Sequence, residues 1–221
     1  MVLGPIGLTA LLASVTTALL MVFAVPFAWW LARTHSVFKP ILEAITAMPL
    51  VLPPTVLGFY LLLLFSPANP LGSAWLTLTG ETLSFSFTGL VIASMLYSLP
   101  FAVQPLQSAF EQLDEAALEA ASSLGAGPMD RLFSLALPMA RRGVMTAAIL
   151  TFAHTVGEFG VVLMVGGNIP GETRVISIAI YEHVETLRYA EAHQLSGLML
   201  VFSFVVLMSV YALGRKAAVR A

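Results

Sequence analysis

The sequence predicts an all-α integral membrane protein, one domain over residues 1–221 crossed by five transmembrane helices. Three observations carry that prediction. Hydrophobic residues make up 58% and charged residues only 10% of the chain, with a mean hydropathy of +0.91, too few charges to cover a water-facing surface. The apolar residues gather into five runs, about 8–31, 41–65, 88–110, 143–165 and 195–213, and about 20 helical residues cross a hydrocarbon core. Ten-residue segments of alternating polarity are missing. Backbone groups in lipid must therefore be satisfied within helices rather than in a closed barrel. With no cysteine and a net charge of −2, neither a thiolate metal site nor a nucleic-acid partner is indicated.

The first run, 8–31, lacks a basic leader, is too long for a cleaved signal and is followed by charge, so it is expected to stay as a membrane helix. Trp29 and Trp30 beside Arg33 form an interfacial anchor. The second run holds Pro49, Pro53 and Pro54. Each proline removes a backbone donor, so this span is kinked or broken, either as a tolerated bend or as a pore-lining one. Pro53 and Pro54 are accordingly pathway or gate candidates. Residues 66–87 are polar without Lys or Arg and read as an external loop, and the third run contains Pro100 and Pro105.

Between the third and fourth runs lies a polar stretch, 111–142. It carries Glu111, Asp114, Glu115, Glu119 and Asp130 with Arg131, Arg141 and Arg142. A short helix is predicted over 112–124, stopped by Gly125 and Gly127. A second is predicted from Pro128, ending before Pro138. Glu111, Glu115 and Glu119 recur every four residues, which places them on one helical face at a repulsion of roughly 0.2–0.5 kcal/mol per pair. That face is either simply solvated or a docking ridge for a basic groove on another protein.

The fourth run places His154 and Glu158 four residues apart, on one face near mid-span, beside Gly157, Phe159 and Gly160, and His154, Glu158 and Phe159 are further pathway or gate candidates. An ionisable residue at that depth costs about 2.5–3.5 kcal/mol on insertion scales. The pair reads as a proton relay, or as a buried hydrogen-bonding contact with the glycines permitting close helix approach. The segment 166–193 opens with a turn over Gly167–Arg174 and continues with helical spacing from Ile176 to Tyr189.

Eight of the ten basic residues follow the first and third runs or end the chain: Arg33, Lys39, Arg131, Arg141, Arg142, Arg215, Lys216 and Arg220. Only Arg174 and Arg188 lie on the other side. The positive-inside rule then puts the N-terminus outside and the central loop and C-terminus in the cytoplasm. No GxxxxGK[ST] loop and no H-E-x-x-H motif occur, so the chain is not expected to be an enzyme. A secondary carrier using His154 and Glu158 is a further possibility, although internal repeats, common in such folds, are not visible.

Glu119-Ala120-Ala121, Gly125, Leu135 and Leu137-Pro138, at their offsets, resemble the EAA loop of ABC importer permeases, with Leu135 where that family usually has Ile. The resemblance implies the type I importer permease fold, with 111–142 as a cytoplasmic coupling loop seated in an ATP-hydrolysing subunit. Its contact residues would be Glu115, Glu119, Ala120, Ala121, Gly125, Leu137 and Pro138. Leu50-Val51-Leu52-Pro53-Pro54, Gly157–Gly160 and Asn168–Arg174 resemble the molybdate permeases within that family. Sulfate and thiosulfate permeases share the loop and the Glu-Phe-Gly element. The resemblance therefore implies an ATP-driven molybdate (tungstate) importer in the bacterial inner membrane, with sulfate or thiosulfate as the alternative cargo. It further implies a homodimer of this chain, two ATPase subunits that use ATP–Mg, and an external oxyanion-binding protein docking near Asn168, Glu172 and Arg174. The chain itself would bind no cofactor or metal. With no Lys or Arg inside a span, the pathway would be lined by hydroxyls such as Ser94, Thr146, Thr151 and Thr155.

Overall fold

The computed structural model describes residues 4–218, with side chains as far as Ala212. Arg220 and the chain end, which the charge count placed in the cytoplasm, lie outside the described residues, as do the side chains of Arg215 and Lys216. The first helix, α1 (Pro5–Arg33), has proline in its first turn, where a missing N–H costs nothing. Its buried stripe, Leu8, Leu12, Thr16, Leu20, Ala24, Ala28 and Leu31, follows the three-to-four residue helical repeat. That stripe packs along α5 (Phe87–Glu111). The two helices run parallel. Leu8 and Leu12 share a core with Leu90 and Val91 at one end, while Arg33 donates to the Phe110 carbonyl at the other (3.1 Å).

Between α1 and α5 the chain returns through a broken segment. It comprises α2 (Lys39–Ala47), a 3-10 turn (Met48–Leu50) and α3 (Pro54–Phe65), bent by 105°. Pro49, Pro53 and Pro54 supply the break, because proline lacks the amide a helix needs and disfavours helical geometry in the residue before it. The expected external loop 66–87 contains a helix instead, α4 (Pro70–Thr79), capped by the Asn69 side chain accepting from Leu71 N–H. Asparagine at an N-cap with proline following is a start signal that polarity alone obscured.

The polar stretch also departs from expectation. Its first helix, α6, spans Glu115–Ser123 rather than 112–124, because Asp114 turns out of the helix to accept from Ala116 N–H. Glu111 closes α5 and Glu115 opens α6, so Glu111, Glu115 and Glu119 do not share one helix face. The second helix does not fail before Pro138. It runs as α7 (Pro128–Asp130), a π-turn (Arg131–Ala136) and α8 (Leu137–Met139). In the π-turn Leu137 N–H donates to the Leu132 carbonyl, five residues back. The wider turn admits Pro138, which has no amide of its own.

The fourth run is α9 (Arg141–Gly157) and α10 (Gly160–Gly166), meeting at 62°. Glu158, extended at φ −67° and ψ 136°, and Phe159 form the break. Glu158 therefore sits at a helix end, not in the middle of a straight span. Then come α11 (Ile176–Glu185), as the spacing predicts, and α12, which begins at Tyr189 rather than 195 and runs to Ala218. Among the described residues three helices (α1, α5 and α12) are long and apolar enough to cross a membrane, or five spans if each bent pair counts as one.

Helices α3 and α10 meet through glycine on both sides. A Cβ on Gly160 would lie 2.7 Å from Pro54 Cβ, and one on Gly58 would lie 2.8 Å from Met164 Cβ. Gly160→Val should therefore force the two half-helices apart, at the roughly 1–3 kcal/mol typical of overpacking. A lowered thermal midpoint of the detergent-purified protein checks this. Gly157→Ala is the control, since its added methyl has nothing within 4 Å and should leave the midpoint unchanged.

Candidate functional site

The two breaks face each other across a cleft of about 490 Å³. Pro54 and Thr55 at the start of α3 form one wall, and Gly157, Glu158, Phe159 and Gly160 the other, with Tyr97 of α5 and His154 of α9 between them. Of the pathway candidates, Pro54, His154, Glu158 and Phe159 thus come together. Pro53 caps α3 without lining the cleft. Among the described residues, no lysine or arginine lines it.

His154 does not pair with Glu158. Its Nδ1 is 2.9 Å from Ser98 Oγ, which is 3.0 Å from Thr155 Oγ1. Phe101 stacks on the ring at a centroid distance of 3.9 Å, and Tyr97 lies at 4.8 Å. Glu158 is only 3% exposed. Its carboxyl lies beside the buried Ser94 hydroxyl, yet neither group completes a hydrogen bond of ordinary geometry. The hydrogen-bonded contact expected of this residue is therefore made by its backbone instead, whose carbonyl accepts from Ser177 Oγ (2.5 Å). Gly160 permits the close approach expected of it, whereas Gly157 faces open space. Of the hydroxyls expected along a pathway, Ser94, Thr151 and Thr155 are buried between helices, and Thr146 is half-buried.

At the opposite end, Glu111 and Glu115 are paired within the chain. Arg33 reaches Glu115 (3.2 Å), and Lys39 reaches Glu111 (3.2 Å) and Glu43 (3.8 Å). Gln107 donates to both Glu43 (2.6 Å) and Glu111 (3.0 Å). Exposed pairs of this kind contribute about 0–1 kcal/mol each, enough to orient the loop without welding it. Glu119 and Ala120 remain exposed and Ala121 half-buried. The helix ends at Gly125, φ +90°. Gly125 N–H donates to the Ser122 carbonyl and Ala126 N–H to that of Ala121, the Schellman pair that closes a helix. Leu137 is half-buried and Pro138 exposed.

Sequence reasoning passed over three neighbours. Leu124 is 90%, Met129 63% and Phe133 62% exposed. Large apolar side chains in a charged loop, away from any span, are the signal that could have marked them.

At the other end, Arg174 donates to Asn168 Oδ1 (2.6 Å) and pairs with Glu182 (3.2 Å), which also accepts from Asn168 Nδ2 (3.0 Å). Two of the three docking candidates thus brace the turn onto α11. Glu172 stands exposed beside them.

Residues 24–219 match the family described as binding-protein-dependent transport system inner membrane component. The chain is 58% identical over 209 residues to the molybdenum transport system permease protein ModB of Azotobacter vinelandii, covering 95% of this chain and 92% of that one. It is 36% identical over 180 residues to the protein of the same name in Escherichia coli K12, covering 80% and 79%. A probable sulfate transport system permease protein, cysT of Zygnema circumcarinatum, is 32% identical over 203 residues, covering 91% and 68%. In fold, the chain is similar to one from a bacterial alginate ABC transporter solved with an alginate-bound periplasmic protein. The TM-score there is 0.74 at 15% identity, over 96% of this chain and 78% of that chain. The chain belongs to the binding-protein-dependent family of ABC importer permeases, multi-pass, non-catalytic membrane subunits of the inner membrane.

Proposed function

We propose that this chain is the membrane subunit of a molybdate importer and that the cleft between its two broken spans is part of the anion's route. The observation that carries the cargo is the 58% identity over 95% of the chain to a molybdenum permease. The route is supported by irregular backbone from two spans converging on one cleft, since backbone leaves helical geometry at membrane depth only where protein or a water-filled cavity covers it. A cleft without lysine or arginine suits a pathway that must release an anion as readily as it admits one.

In this reading the chain crosses the membrane five times, N-terminus outside and C-terminus inside, with the type I importer arrangement. The end carrying Arg33, Lys39, Arg131 and Arg141 is cytoplasmic. There α6 is the coupling helix. Exposed Glu119, Leu124, Met129 and Phe133 fit an ATPase subunit that buries apolar side chains and pairs the remaining carboxylate. Two copies of this chain enclose the route, two ATPase subunits supply ATP–Mg hydrolysis, and an oxyanion-binding protein docks at Asn168, Glu172 and Arg174. This chain binds no cofactor itself.

Three measurements test this reading. The soluble protein that co-purifies with the assembled transporter should bind molybdate and tungstate, and reconstituted uptake should follow that preference. Tight binding of sulfate alone would transfer the assignment to a sulfate importer, the activity named for the 32%-identical relative. Gly157→Phe projects a ring into open cleft and should cut uptake at least tenfold without loss of assembly. Undiminished uptake would place the route elsewhere. Gly125→Val forces a β-branched residue to φ +90°, where even unbranched side chains lose about 1–2 kcal/mol. Uptake and transport-stimulated ATP hydrolysis should fall together while insertion persists. Normal coupling in that variant would remove α6 from its role.

A further inference from the structure

The hydrogen bonds around His154 fix where its protons sit. Thr155 Oγ1 donates its single hydrogen to the Thr151 carbonyl (3.0 Å). The Ser98–Thr155 bond (3.0 Å) must therefore be donated by Ser98. Ser98 then has no hydrogen left, so its 2.9 Å bond to His154 must be donated by Nδ1–H. Backbone carbonyl, Thr155, Ser98 and His154 form an ordered chain running one way. It holds in either charge state of the ring, because Nδ1 keeps its proton in both.

One face of the ring is stacked by Phe101, Tyr97 lies tilted beside it, and the Nδ1 edge is taken by Ser98. His154 lines the cleft, and with Nδ1 taken by Ser98 the ring nitrogen left to meet it is Nε2. In the neutral ring that atom shows the cleft a lone pair, which opposes the lone pairs of an oxyanion. With a second proton it becomes an N–H donor carrying the positive charge that no lining lysine or arginine supplies. The neighbouring rings tolerate that charge, since aromatic faces attract cations.

We propose that His154, protonated at Nε2, is the specificity-determining contact that holds an oxyanion in transit, with Ser98 as its positioning residue. This rests on the reading of the cleft as the route. The second proton is taken from cleft water as the anion arrives from outside and released as the anion leaves on the inner side, so one proton accompanies each anion. Two titratable groups besides His154 belong to the cleft residues, Tyr97 of α5, beside the ring, and Glu158 at the break, its carboxyl turned toward Ser94. Arg33 of α1, Tyr60 of α3 and Glu111 of α5 lie outside the cleft lining, and α8 and α10 carry no titratable group. Tyr181, Glu182, His183 and Glu185 on α11, and Glu191 and His193 on α12, lie outside the cleft lining.

The test uses the complete transporter in proteoliposomes, ATP inside and molybdate-loaded binding protein outside, with external pH varied across 5.5–8.5, a span of about the histidine range. Maximal uptake by the wild type should fall about tenfold per pH unit above its midpoint, as a single required proton dictates. His154→Gln should be slower at low pH and flat with pH, and Ser98→Ala should lose several-fold in rate, with Ser98→Thr restoring it. A His154→Gln profile that matches the wild type, or a flat wild-type profile, overturns the proposal. If His154 variants do not assemble, Ser98→Ala decides, and a wild-type rate and profile there also overturns it. Gly157→Phe separates the two readings. Blocked uptake in that variant with unaltered His154→Gln keeps the route and discards the histidine contact, whereas normal uptake in both removes the route as well.

Discussion

An unpaired backbone amide or carbonyl costs several kcal/mol in hydrocarbon, and the architecture follows from how this chain meets that cost where its helices stop. Two of its apolar runs are broken, with bends of 105° and 62°. Around the second break, hydroxyls take up the freed backbone groups. Ser177 donates to the Glu158 carbonyl and Thr173 to that of Gly166, while Thr173 Oγ1 accepts from Ile169 N–H. Thr9 of α1 accepts from Ile176 N–H while donating to the Pro5 carbonyl, tying the start of α11 to the first helix. These small side chains let irregular backbone persist inside a packed core, and so allow a cleft to exist there.

The cleft inherits its character from that construction. Its walls are mainly apolar, built of proline, glycine, aromatic and aliphatic residues with Thr55, one imidazole and one buried carboxyl. Neither titratable group bonds the other. His154 is spoken for by Ser98, and the Glu158 carboxyl turns into the bundle toward Ser94. In the route proposed above, a wall with few strong fixed partners releases an anion more readily than a cluster of cations would.

The other end is organised by charge. Arg33 joins the end of α1 to both the last carbonyl region of α5 and the first residue of α6, and Lys39 joins α2 to the same corner. Arg33 thereby links α6 to α1 and α5, and Lys39 links α2 to α5. The exposed apolar residues of the loop, Leu124, Met129 and Phe133, lie beyond these pairs.

Composition and run length by themselves determined the membrane class, the helical content and the positions of the runs, because the bilayer imposes a length and a polarity on any helix that crosses it. The prolines 49, 53 and 54 announced the first break, and the spaced Glu-Ala-Ala, Gly125 and Leu-Pro residues the polar loop. Local signals could not settle what depends on a distant partner. That Glu111 and Glu115 belong to different helices follows from Asp114 capping α6, and that both are paired follows from Arg33 and Lys39, more than 70 residues away. A spacing of four placed His154 and Glu158 on one face, but the chain leaves the helix at Glu158, where Gly160 packs against Pro54 of another element. Periodicity assumes a continuous helix. Only tertiary packing decided where that continuity ended, because the backbone can leave the helix in lipid only where neighbouring elements are present to satisfy it.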